Sequence, residues 1–230
     1  MGVVSVLDTG VLIGITIEND AHHDECYGHL QNRDECIVTP IVESEYSKVS
    51  TQIRTKISDE LTQHRQKVST EVDQGELSTS TIGWIRSSLL DRDMRCSEFL
   101  DQYYDVKQNE SRYDQVYKLS IVGDLEDMEM GVWDDTTPSG ETIESLCTFY
   151  NNTIPQYPDI KSELLIHEGD DPDVCIEAHH IATEYVDDNT ELATTNPVHF
   201  IRQVGLEPET REENILRVTN IHQIEDVSCT

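Results

Sequence analysis

The chain is short of positive charge. Sixteen Lys and Arg stand against 46 Asp and Glu in 230 residues, a formal net charge of −30 at pH 7. Such a chain repels itself unless salt screens it, which points to an acidic surface suited to the salt-rich cytoplasm of a halophilic microbe. There is no Cys-x-x-Cys pair and no Cys/His spacing of the zinc type, so the cysteines at 26, 36, 96, 147, 175 and 229 are expected to be reduced and semi-buried. No apolar stretch approaches the about 18 residues that a membrane span needs, and the N-terminus reads as a strand, not as a charged segment before a long apolar run. A cytoplasmic protein with no membrane partner is expected. Internal repeats and low-complexity tracts are also missing. Apolar periodicity through most of the chain excludes an acidic disordered protein, and the length suits one α/β domain with an elaboration.

What is there begins with "VVSVLDTGVLIG", residues 3 to 14. Its β-branched run predicts a buried strand over 2–7, closed by the acidic Asp8. Two short helices follow, then "ECIVT" (35–39) as the second strand. From Pro40 the apolar positions Tyr46, Val49, Ile53, Ile57 and Leu61 predict one long amphipathic helix to about residue 67. The middle of the chain reads as almost all helix, with "DDTTPSGET" as a loop and "IESLCTFYNN" as one more short helix. "ELLIH" (163–167) is expected as the third strand, and a helix opens with Asp171 as N-cap and Pro172 behind it. "ELATT" (191–195) and "ILRVT" (215–219) complete five strands, with a short helix from Pro197. Strand and helix alternate at both ends, which implies a parallel sheet with right-handed crossovers. The expected fold is therefore α/β: one domain from residues 1–54 and 161–230, with 55–160 as a helical insertion between the second and third strands.

Parallel strands emerge along one edge, and ligands bind beyond their carboxyl ends. Asp8 ends strand one, Glu45 lies in the first turns of the helix after strand two, Asp173 in the first turn of the helix after strand three, and Asn196 directly after strand four. Carboxylates gathered without a counter-charge repel one another. A hard divalent cation removes the conflict, and oxygen ligands suit Mg²⁺ or Mn²⁺. A metal held so lowers the pKa of bound water and stabilises charge on a phosphoryl oxygen, which predicts phosphodiester hydrolysis.

"VLDTGVLIG", "VTPIVESEY", "DPDVCIEAHHIA" and "LATTNPVHF", in this order, resemble the four motifs of the PIN-domain nucleases, including the VapC-type toxins. The resemblance covers roughly residues 2–48 and 163–204. It implies a three-layer α/β/α fold and a Mg²⁺- or Mn²⁺-dependent endoribonuclease acting on single-stranded RNA. By position, Asp8, Glu45 and Asp173 match the family's three metal-site acids. Asn196 matches its more variable fourth ligand, and His199 falls where many members carry an acid. Gly10 stands where the family often has a polar Asn or Ser. Structured RNA, an antitoxin or other protein partner, and a homodimer are left open. The second reading is a catalytically degenerate PIN-like binding or scaffold module whose helical arm recruits a partner.

Plainer readings compete at each position. Asp8 could be only a helix N-cap. Glu45 could be a solvated helix residue, with Glu43 as its competitor. Asp173 or Asp171 could simply answer the helix dipole, while Glu168, Asp170 and Asp171 could be outer-sphere groups or a solvated loop. His22, His23 and His29 are expected to pack rather than bind zinc, and one of His179 and His180 to pack on the sheet. An aspartic protease would need a β-rich fold and a second Asp-Thr-Gly or a dimer-forming β chain, and the sequence offers neither. Tyr103, Tyr104, Tyr113 and Tyr117 are expected as core rather than as a base-stacking platform. Eleven of the 16 Lys and Arg fall between Lys48 and Lys118, among them Arg54, Lys56, Arg65 and Lys67 on the long helix, so the arm is expected to help hold RNA or a partner.

Overall fold

The structure, a computed structural model, describes residues 2–134, 142–166, 171–185, 189–201 and 210–228. These residues belong to two compact units, one of residues 1–16, 22–49 and 136–230, the other of 17–21 and 50–135. In chain order, β1 (Val3–Leu7) leads through α1 (Thr9–Thr16) and α2 (His23–Gln31) to β2 (Glu35–Val38) and the long α3 (Pro40–Glu71). The second unit takes α3 from residue 50, then β3 (Glu76–Leu77), α4 (Thr79–Trp84), a π-helical turn (Ile85–Leu89), α5 (Ser97–Glu110), β4 (Val116–Tyr117) and α6 (Lys118–Gly131). The first unit resumes with α7 (Ile143–Leu146), β5 (Thr148–Phe149), α8 (Pro158–Glu163) and α9 (Asp171–Glu184). It closes with β6 (Asn189–Thr194), α10 (Pro197–Phe200), α11 (Arg211–Val218) and β7 (Gln223–Asp226).

The first unit is a five-stranded parallel sheet in the order β5-β2-β1-β6-β7, flanked by helices as a three-layer α/β/α fold. A sheet covered on both faces needs apolar residues on both sides of its strands. Accordingly Val4, Val6, Leu7, Ile37, Val38, Leu192 and Ala193 are all buried, with Val6 in register between Ile37 and Leu192. α1 is buried along most of its length because its sequence, TGVLIGIT, is apolar almost all round. Gly14 lets α2 approach: a Cβ there would lie 2.6 Å from Cys26 Sγ. The gap is closed by His23, whose Nδ1 bonds the Gly14 carbonyl at 2.8 Å.

The second unit is helical apart from the antiparallel β3–β4 ribbon. Ile57, Leu61 and Val68 of α3 recur at helical spacing, fully buried, alongside Leu100 and Tyr104 of α5 and Ile121 and Leu125 of α6. Inside this core the Tyr104 hydroxyl meets His64 Nε2 at 2.7 Å. Burial lowers the His64 pKa to about 4, helped by the nearby Lys67 charge.

Three sequence expectations are corrected. The helical insertion does not run to residue 160: the second unit ends at 135, because the segment after it supplies β5, which pairs with β2 through Ile37 with Thr148 and Val38 with Phe149. "ELLIH" is no strand in its described part. Glu163 ends α8 and Leu164 to Ile166 form an irregular segment whose Leu164 and Ile166 side chains are buried. "ILRVT" lies mostly in α11, whose start is fixed by a capping box: Thr210 accepts from the Glu213 N–H, and Glu213 accepts from the Thr210 N–H. The fifth strand comes later, at Gln223–Asp226. Glu168, Asp170, Cys229 and most of the "DDTTPSGET" loop lie outside the described residues. The other five cysteines are free and buried. Among the described residues no helix is long and apolar enough to cross a membrane.

Candidate active site

The parallel topology puts the carboxyl ends of β1, β2 and β6 along one edge of the sheet. Asp8 stands one residue past β1. Its N–H extends the ladder to the Ala193 carbonyl at 2.9 Å, and its own carbonyl accepts the first α1 bond from Leu12 N–H at 3.1 Å. It is thus the N-cap of α1, as the plain reading required. Its side chain does more. Oδ1 accepts from the Thr9 N–H at 2.6 Å and Oδ2 from the Thr194 hydroxyl at 2.8 Å, in a residue only 8 % exposed. Burial lifts the Asp8 pKa to about 6; the two hydrogen bonds oppose this, and the charges of Asp171 and Glu45 add to it.

Glu45 reaches the same place from α3. Its Oε2 accepts from the Thr9 hydroxyl at 2.5 Å, so Thr9 binds Asp8 through its amide and Glu45 through its side chain. Asp171, in the first turn of α9, has its pKa raised by burial; His199 and Arg211 pull it down and the Glu45 charge pushes it up. Oδ2 of Asp171 lies 2.7 Å from Nδ1 of His199, in α10. The short α10 is held by Arg211, whose Nη1 donates to the Val198 and His199 carbonyls at 3.0 and 3.1 Å.

The third acid is therefore not the expected one. Asp173 pairs with Lys161 of α8, both side chains well exposed, while Asp171 feels Asp8 and Glu45. Two residues along a helix turn a side chain by about 200°, so only one of the two can face the sheet edge. Asn196 is where the sequence placed it, after β6. Its N–H donates to the Thr194 Oγ1 at 2.9 Å and its carboxamide makes no cap hydrogen bond. Thr194 so joins Asp8 to the Asn196 backbone. Gly10 also has a local reason: a Cβ there would lie 2.1 Å from the Thr195 hydroxyl oxygen. The residues that sequence reasoning undervalued are Asp171, Thr9, Thr194 and Thr195. For the threonines, hydroxyl residues at or just past the end of a strand were the available signal, and Asp171 had none that set it apart from Asp173.

The other candidates settle into packing. His29 Nε2 sits 2.9 Å from Ser5 Oγ and 3.3 Å from the buried Glu191, which Arg33 also grips; His179 is buried, and its Nδ1 accepts from the Asn220 N–H at 3.0 Å. Tyr104 is core, whereas Tyr113 and Tyr117 are exposed. Several of the arm's expected cations are engaged by its own acids, whereas Lys56 and Lys67 are exposed on α3. Arg65 pairs with Glu129 at 3.1 Å, Arg86 with Asp101 and Asp105 at 2.5 Å each, and Lys107 with Asp124 at 3.2 Å. Arg95 pairs with Asp20, and Lys118 and Arg54 donate to backbone carbonyls.

Among the described residues, no three His, Cys, Asp or Glu side chains are grouped as a metal-ligand set. The chemistry of the donors nonetheless fits an oxygen-preferring cation. The charges of Asp171 and Glu45 add to the proton affinity of the buried Asp8, and the Glu45 charge adds to that of Asp171, the conflict that a cation would relieve. Each also keeps acceptor capacity, since Glu45 and Asp171 have one oxygen engaged and Asp8 one partner on each oxygen. No protein-family model, curated protein or solved structure matches the chain.

Proposed function

We propose that the chain is a metal-dependent endoribonuclease of the PIN type that hydrolyses phosphodiester bonds of single-stranded RNA. Asp8, Glu45 and Asp171 would hold Mg²⁺ or Mn²⁺, with Asn196 offering a neutral carbonyl oxygen. The observation that carries this reading is Asp8. A buried carboxylate with its pKa near 6, sharing Thr9 with Glu45 and feeling the Asp171 charge at the carboxyl edge of a parallel sheet, supports a functional site.

Bound there, a divalent cation supplies an activated water and charge neutralisation at the phosphate. The protein's own contribution is positioning. Thr194 and the Thr9 amide fix the rotamer of Asp8, the Thr9 hydroxyl aims Glu45, and His199 holds Asp171. The second reading, a PIN-like binding or scaffold module, is favoured by the absence of a closed ligand set among the described residues and by Asn196 in place of a fourth acid.

A MnCl₂ titration separates the two, read by thermal melting and by cleavage of a single-stranded RNA in concentrated KCl. Mn²⁺ is expected to raise the melting temperature of the wild type and of Asp173→Asn, and not that of Asp8→Asn or Asp171→Asn. Cleavage should fall in the last two by more than the about 10–100-fold cost of losing an outer-sphere partner. Cleavage that survives Asp8→Asn, or a melting temperature indifferent to Mn²⁺, would overturn the nuclease reading.

A further inference from the structure

We propose that Lys161, held on Asp173 in the free protein, is a phosphate contact for the RNA strand at the acid site, and that Asp173 acts as its displaceable stand-in for phosphate. The inference rests on the ribonuclease reading above. RNA approaching three carboxylates on a chain of net charge −30 meets repulsion, so the phosphates beside the site need cations. Most described cations of the first unit are committed elsewhere. Arg33 grips the buried Glu191 with two nitrogens, Arg211 donates to two backbone carbonyls, and Arg217 lies 3.9 Å from Glu163.

Lys161 differs in place, since its pair stands at the start of the helix that carries Asp171. Its partner Asp173 is in the first turn of α9, two residues from Asp171, and the two side chains are 46 % and 42 % exposed. A pair so exposed contributes little and is screened by salt. Asp173 does not depend on the lysine either, because the first turn of a fourteen-residue helix favours a carboxylate. The ammonium can therefore leave for a phosphate oxygen without stranding a buried charge, and a flexible point charge suits that task. Lys48 is a second such cation. It is exposed on α3, one turn beyond Glu45.

The test is binding of a labelled single-stranded RNA oligonucleotide, read by fluorescence anisotropy over a KCl series. All variants are made in an Asp8→Asn background, so that bound RNA is not cut. Lys161→Ala is expected to weaken binding and to flatten the slope of log affinity against log salt by about 0.7, the share of one phosphate contact on a single strand. Lys161→Arg should keep the slope. Asp173→Asn should tighten binding several-fold, the reverse of what a metal ligand or a merely structural residue would do. An unchanged slope in Lys161→Ala, or weaker binding in Asp173→Asn, overturns this inference while RNA cleavage by the wild type leaves the ribonuclease reading standing. No RNA binding in any variant together with no cleavage by the wild type overturns both.

Discussion

A carboxylate with a hydrogen bond on each oxygen should be more acidic than usual, and Asp8 is the reverse. Its folded pKa of about 6 lies above the ordinary 3.8, so the folded state binds the proton more tightly and stability falls as pH rises between those values. Asp8→Asn keeps the shape and the Thr9 bond, turns the Thr194 hydroxyl from donor to acceptor, and should raise stability at pH 7 by on the order of 2 kcal/mol. In chemical denaturation followed against pH, that gain should fade as pH falls toward 4. A residue that only capped α1 would give no gain, since Asn and Asp cap about equally. At Gly10, an added methyl must drive the Thr195 side chain to another rotamer. Gly10→Ala is expected to cost about 1 kcal/mol or more, with most of it recovered in a Gly10→Ala/Thr195→Ala double variant measured by the same unfolding curves. Asp8 and Glu45 were legible in the sequence because each follows a strand that ends unambiguously. Asp171 and Asp173 were not separable, because both satisfy the rule of an acid in the first helical turn and only tertiary packing chooses the face.

Elements with one dominant pattern were read correctly. β1, β2, α3 and β6 fall within a few residues of where apolar runs and helical spacing place them. "ILRVT" failed because three β-branched residues outweighed the Thr-x-x-Glu capping signal upstream, and β5 was overlooked because two residues leave no period to detect. The long α3 also carries a prediction. His64 is buried neutral against Tyr104 with a pKa near 4, below the ordinary 6.5, so the unfolded state binds the proton more tightly in that window. The stability this contributes is fully present above about 6.5 and is lost as pH falls toward 4, up to about 3 kcal/mol. In His64→Gln the dependence of stability on pH between those limits should fall by about one proton, whatever the variant loses in packing.

At the scale of the whole molecule, 46 acids against 16 bases leave charge that internal pairs cannot cancel. Raising KCl from about 0.1 M to about 1 M shortens the screening length from about 10 to about 3 Å. The melting temperature should rise over that range, and a fall would contradict a surface built for salt. The pairing of the arm's cations with its own acids could not be read from a linear charge count, because partners such as Arg65 and Glu129 lie far apart in the chain. Strand order has a further consequence, for synthesis on the ribosome. β1 is flanked by β2, which emerges soon after it, and by β6, which begins only at Asn189. Until translation passes Thr194, one rim of β1 keeps bare amides and carbonyls and Asp8 has no hydroxyl to hold it. A nascent chain is thus open to stray strand pairing along that rim until Asn189–Thr194 has emerged.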